Sequence, residues 1–223
     1  FDSVGTKLTV DNKDTQLERT SKGYLLELSK KSQKISFKGL PQKPIVSLLR
    51  DFSAPVKLSS SQSDKELIAL LGFDDDPYNA WQAAQSTYSK LILEHWRQKD
   101  PTRKQALLAQ KSHIIEALEN ILKSNKISAA QKALMLELPD FISLSQGQRE
   151  VDPRKLIQSK KQVNLWILEK LENSIYENYN NLKQQLQQAP YAKDPSSVGK
   201  RALKNICLHF LSYNKNKDID DLL

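Results

Sequence analysis

Apolar and polar positions follow two different rhythms along this chain. In the first 60 or so residues the apolar stretches are short and often alternate with polar ones. "TKLTV" (Thr6–Val10), "YLLEL" (Tyr24–Leu28), "KISFKGL" (Lys34–Leu40) and "PIVSLL" (Pro44–Leu49) are of this kind. In the third, Ile35 and Phe37 fall on one face and Lys34, Ser36 and Lys38 on the other, the period of a half-buried strand. The polar stretches "DNKDTQ", "SKKSQ" and "PQKP" separate them as turns. The pattern predicts a small antiparallel sheet. A few strands with one apolar face cannot close a core alone, so half of a β-sandwich is expected, with Ile35, Phe37, Val46 and Leu48 as candidates for the covered face.

From Ser63 onward the period becomes helical. "SDKE" offers Ser63 as an N-cap and Glu66 as its reciprocal partner. After Asp74–Asp76 and Pro77, residues Trp81, Ala84, Tyr88, Leu91 and His95 share one face of a long helix, with the acids beside its N-terminus. Leu107, Ile114, Leu118 and Ile121 mark a third helix, and Ser128–Leu138 a shorter one that stops at Pro139. "VDPRKL" starts a long helix whose face runs through Leu168, Leu171, Ile175, Tyr179, Leu182 and Leu186. Val198, Leu203, Ile206, Phe210 and Leu211 mark another. The chain ends at "DIDDLL", in or just before a further helix. Some helices are apolar on more than one side, as at Leu165, Trp166 and Leu168, which suits a superhelix of packed antiparallel helix pairs. No fixed period recurs, which argues against a regular repeat array. The expected fold is therefore mostly α with a small β part.

Composition narrows the function. At 223 residues the chain can bury a sizeable core. No run of about 18 apolar residues is present, so no membrane span is expected. The opening "FDSVG" has neither the basic start nor the apolar centre of a signal peptide, and with no initiating Met the chain reads as a piece of something longer. One cysteine, Cys207, fits a reducing, cytoplasmic compartment and a packed helical thiol. The net charge of +8 raises nucleic-acid binding. Residues 1–58 hold 11 Lys and Arg against 6 Asp and Glu, whereas residues 59–223 hold 23 against 20. The excess sits in strand-edge lysines without interleaved aromatics, so no nucleic-acid partner is expected.

Recognisable chemistry is absent. There is no G-x-S-x-G, no phosphate-cradling glycine loop and no H-E-x-x-H. His113 and Glu116 share a helix face opposite the apolar stripe, as a solvated pair would. His95 and His209 sit among apolar neighbours, and Trp81, Trp96 and Trp166 suit packing between helices. Arg50 and Asp51 read as a local ion pair or as solvated groups. The residues thus describe a noncatalytic two-part scaffold.

The junction adds a resemblance. "PIVSLLRDFSAPVKL" (Pro44–Leu58) closely resembles the end of the β-sandwich domain in bacterial aminopeptidase N, the zinc-dependent alanyl aminopeptidase family, with Asp51 where many members have Gly. "SDKELIALLGFDDDPYNAWQAAQ" resembles the first two helices of the family's C-terminal domain, through Ser63, Asp64, Asp75, Trp81, Ala83 and Gln85. "LMLELPD", "VDP" and "KRALKNICLHFLSY" follow in family order. The resemblance implies that residues 1–60 are the later part of a β-sandwich connector, with "FSAPVKL" as its last strand. It implies that residues 61–223 are the first part of a helical domain that curves over the catalytic domain. The family's H-E-x-x-H, its Gly-x-Met-x-Asn strand and its catalytic Tyr have no counterpart in this sequence. No catalytic, cofactor-binding or metal residue is therefore carried over. Zinc and short peptide substrates belong to the parent enzyme, and the fragment's partner is the parent's own catalytic domain. The truncated sheet is expected to self-associate. The alternative is a stand-alone helical scaffold for protein partners. On either reading Phe52 and Pro55 are expected to matter for domain geometry, and a buried Phe52 would make Phe52→Ala cost about 3–5 kcal/mol.

Overall fold

The computed structural model describes residues 1–2, 5–8, 17–56, 58–97 and 101–214, with the side chains of 101–110 outside that description. The chain divides into two compact units, Phe1–Ser47 and Leu48–Leu223.

In the first unit a hairpin joins β1 (Leu17–Thr20) to β2 (Gly23–Leu26), antiparallel, with Leu17 opposite Leu26 and Thr20 opposite Gly23. At its other end Phe1 and Ile45 exchange two main-chain hydrogen bonds, each 2.8 Å. β2 overlaps the strand expected at Tyr24–Leu28, starting one residue earlier and ending two residues earlier. β1 was not expected, because in "LERT" only Leu17 is apolar. The stretches expected as strands at Lys34–Leu40 and Pro44–Leu49, and Thr6–Leu8 of the first, form no strand. Alternation marks a capacity to extend, but a ladder also needs a neighbouring strand to pair with. Thr9, Val10 and the turn at 11–16 lie outside the described residues. Of the candidate face, Phe37 is exposed and meets Tyr24 edge-on at 6.5 Å, while Val46 and Leu48 are also exposed. Ile45, on the opposite parity, is buried instead.

The second unit is helical: α1 (Asp64–Phe73), α2 (Pro77–Arg97), α3 (Pro101–Lys123), α4 (Ala129–Leu136), α5 (Phe141–Ser145), α6 (Pro153–Gln188) and α7 (Pro195–Leu211). Side-chain caps start six of them, Asp76 on α2 among them. Ser63 and Glu66 form the full capping box on α1. Ser128, Asp140, Asp152 and Asp194 cap α4, α5, α6 and α7, with Pro153 and Pro195 in the first turns of α6 and α7. α1 packs on α2 and α3, α2 on α4 and α6, α3 on α6, and α7 on both α4 and α6. The core runs through Leu71, Tyr88, Ile92, Leu118, Ile121, Met135, Ile167, Ile175, Tyr179, Cys207 and Phe210, all 3% exposed or less. Most residues of the expected stripes are buried, but His95 and Val198 are exposed, Trp81, Leu186 and Ile206 are half-buried, and Leu107 lies outside the described side chains. The terminal "DIDDLL" also lies outside the description. α5 was not expected, since five residues after Pro139 carry too little period to read.

Candidate functional site: the acidic corner and its arginine

The bend between α1 and α2 is built from Asp74, Asp75 and Asp76. Asp76 stands just before Pro77, and its Oδ1 accepts the Asn79 amide at 3.0 Å, as an N-cap does. Asp74 Oδ1 accepts the Asp76 amide at 3.0 Å and so closes the bend on itself. Both carboxylates are buried residues, which is costly unless a counter-charge reaches them. Arg50 supplies it. Its Nη1 donates to Asp74 Oδ1 at 2.8 Å and its Nη2 to Asp75 Oδ1 at 2.5 Å. Burial works against the Arg50 charge, but the Asp75 bond and the fields of Asp74, Asp75 and Asp76 outweigh it and hold its pKa above the ordinary value.

Residues around Arg50 join the same corner. The Asp51 amide donates to Asp76 Oδ2 at 2.8 Å, and Asn79 Nδ2 donates to the Leu48 carbonyl at 2.8 Å. The rings of Phe52 and Tyr78 lie 4.0 Å apart, and Tyr78 continues to Trp81 at 5.6 Å. This arrangement corrects the expected strand "FSAPVKL": residues 52–56 and 58 form none, and Lys57 lies outside the description. Leu49, Asp51 and Phe52 have φ of 53°, 55° and 54°, a left-handed backbone that no strand accepts. Ser53 donates to the Arg50 carbonyl at 3.1 Å, closing a turn with positive φ at both central residues. Val56 then donates to the Ala54 carbonyl at 2.9 Å, a γ-turn centred on Pro55. A left-handed Asp51 also explains why Gly suits this position, since Gly meets no steric cost there. Phe52 is 62% exposed, so it is a surface partner of Tyr78 and no core residue.

A second set of polar contacts fixes the end of α4. Tyr88 OH donates to the Met135 carbonyl at 2.7 Å, Gln85 Nε2 to the Glu137 carbonyl at 2.8 Å and Lys160 Nζ to the Leu138 carbonyl at 3.4 Å. The last carbonyls of a helix have no partner within it, and here α2 and α6 provide them. Lys132 likewise donates to the Leu122 carbonyl at 2.7 Å, in the last turn of α3. Gln85 and Asp75, matched in the sequence by resemblance alone, thus have structural work at these two corners. Asp64 pairs with Lys90 at 2.6 Å.

The histidines do not converge. His113 and Glu116 are exposed on α3. His95 lies at the solvent edge with Nδ1 3.3 Å from Ser159 Oγ, its pKa lowered by burial and then by Lys111. His209 packs edge-on to Tyr213 at 5.3 Å. Trp166 is half-buried beneath the Lys111 ammonium, 5.2 Å from the ring centre. Cys207 is fully buried, and burial pushes its thiol up to about 12, with Lys132 acting in the opposite direction. Among the described residues no group of three or more His, Cys, Asp or Glu is placed to hold a metal ion. Among them, too, no helix is long and apolar enough to cross a membrane.

Comparison with known proteins places both parts. Residues 64–223 match a family model described as a domain of unknown function, DUF3458_C, of ARM repeats. Residues 4–61 match a domain of unknown function, DUF3458, with an Ig-like fold. ARM repeats here are compatible with the lack of a fixed sequence period, because the helices run from 5 to 36 residues. Aminopeptidase N of Escherichia coli is 28% identical over 202 residues, covering 89% of this chain and 22% of the relative. Aminopeptidase N of Haemophilus influenzae is 26% identical over 213 residues, covering 96% and 23%. The chain thus spans about a fifth of the length of these relatives. A crystal structure of Legionella pneumophila aminopeptidase A in complex with aspartic acid shares the fold, with a TM-score of 0.68 at 22% identity, covering 92% of this chain and 24% of that one. The resemblance to aminopeptidase N seen in the sequence is borne out, as is the Ig-like part followed by helices. The chain belongs to the DUF3458_C family of ARM-repeat domains, preceded by an Ig-like DUF3458 domain.

Proposed function

We propose that this chain is the noncatalytic connector and helical lid of a zinc metalloaminopeptidase that removes N-terminal residues from peptides. Residues 1–60 are the later part of the β-sandwich connector, and residues 61–223 the first part of the helical domain. The observation that carries this reading is the match of both parts, in one order, to aminopeptidase N over 89% of the chain. On this reading the zinc and the peptide-bond chemistry belong to another part of the parent, where the family's H-E-x-x-H motif would lie. What this chain contributes is shape: a helical body with capped ends and a fixed corner, able to limit access to short peptides. The parent works in the cytoplasm on small peptides. The exposed apolar side chains Leu25, Leu28, Phe37 and Val46 of the first unit are those that further strands would cover, and without them the sheet self-associates.

The test begins with the coding sequence upstream of Phe1. An H-E-x-x-H followed by a further Glu is expected. The full-length protein should then release N-terminal residues from short peptides, be inhibited by chelator, and leave folded proteins intact. A start codon beside Phe1 with no such motif would favour a stand-alone helical scaffold.

A further inference from the structure

We propose that Arg50 and the acidic corner form a latch that takes residues 48–52 out of the tether between the two units. The observation comes from this chain's own geometry and does not rest on the aminopeptidase reading. Between Ser47 and the Ser63 cap of α1 lie residues 48–62, fifteen residues whose described members form no helix or strand except the Arg50–Phe52 turn. Left free, a segment of that length would span roughly 20 Å on average. Instead its first five residues are fastened to the α1–α2 corner. Leu48 is held through its carbonyl by Asn79, Arg50 by Asp74 and Asp75, Asp51 through its amide by Asp76, and Phe52 by Tyr78. The compact helical unit accordingly begins at Leu48, directly after the first unit ends. Residues 53–56 and 58–62 are mostly exposed.

The backbone is what makes this a two-state device. Three non-glycine residues, Leu49, Asp51 and Phe52, sit in the left-handed region. Such residues persist there only when their surroundings over-determine them. Asp51 and Phe52 are themselves exposed, so core packing does not hold them. The contacts that do so converge on the acidic corner, and Arg50 bonds ionically to it through Asp74 and Asp75. With Arg50 engaged, the strained turn is fixed. With Arg50 released, the turn has a reason to relax toward extended backbone, and all fifteen residues become tether.

The test uses the whole chain with Arg50→Met, which keeps the length of the side chain and removes its charge. Hydrogen exchange is read at the Asp51 amide and along α1 and α2. Loss of two charge-assisted hydrogen bonds should speed exchange at Asp51 by about 10- to 100-fold while the α1 and α2 amides keep their protection. Asp51→Gly should act oppositely: it keeps the amide, removes the left-handed penalty and slows exchange there by several-fold. Unchanged exchange of the Asp51 amide in Arg50→Met would overturn the proposal. So would an equal rise along α1 and α2, which would make Arg50 a contributor to general stability and no latch.

Discussion

Gly199→Ala separates close helix packing from helix propensity by sign. Gly199 is buried in the second turn of α7, where α7 crosses the start of α4. A Cβ added there would lie 2.8 Å from the Ala130 nitrogen, 3.0 Å from its Cβ and 3.2 Å from its Cα. Ordinary contact begins near 3.4 Å, so α4 would have to retreat by about 0.6 Å. It is poorly placed to do so. Lys132 ties α4 to α3 at 2.7 Å, and Tyr88 ties its far end to α2 at 2.7 Å. Propensity alone favours Ala over Gly by about 1 kcal/mol in a helix interior. Overpacking against backbone costs about 1–3 kcal/mol. The expected result is a net loss of about 1 kcal/mol, or a fall in the melting temperature of the helical signal of roughly 2–4 °C. Urea and thermal unfolding followed by far-ultraviolet circular dichroism would measure it. A variant more stable than the parent chain would refute the claim that α4 is held rigidly against α7.

Tyr88→Phe removes a buried hydroxyl and orphans the Met135 carbonyl; urea unfolding should give a loss of about 1–3 kcal/mol. A loss within about 0.5 kcal/mol would mean that α4 does not depend on this bond. Phe52→Ala should cost about 0.5–1.5 kcal/mol in the same assay, the worth of an exposed aromatic pair with Tyr78. A cost of 3 kcal/mol or more would place Phe52 in a core, against its 62% exposure. Cys207, buried and with its thiol pushed to about 12, should resist alkylation at pH 8 until the helices unfold. Stoichiometric labelling of the native chain within minutes would contradict that.

The helical half was readable because its signals are local. Ser63 and Glu66 are three residues apart, and Asp152–Pro153 are neighbours, so cap and first turn can be seen in one short window. Stripes such as Leu168, Leu171, Ile175, Tyr179 and Leu182 announce the buried face in the same way. The first unit was less readable. Whether Ile45 or Val46 points inward depends on what pairs with the segment, and one residue of slip exchanges the faces. The acidic corner was visible only as acids before a proline. Its partner lies 24 and 25 residues earlier, and nothing in "LLRDF" announces that Arg50 turns toward Asp74 and Asp75. The left-handed backbone was hidden because Leu49, Asp51 and Phe52 are residues that rarely adopt it. The departure from Gly at Asp51 was the one available hint, and it marked the turn.

The central claim is that this chain shapes a metallopeptidase without performing its chemistry. The most direct measurement is the zinc content and aminoacyl-amide hydrolysis of the purified 223-residue chain after exposure to excess zinc and gel filtration. The account predicts less than stoichiometric metal and no turnover above the buffer. One tightly held zinc per chain, with hydrolysis abolished by chelator and restored by zinc, would contradict it.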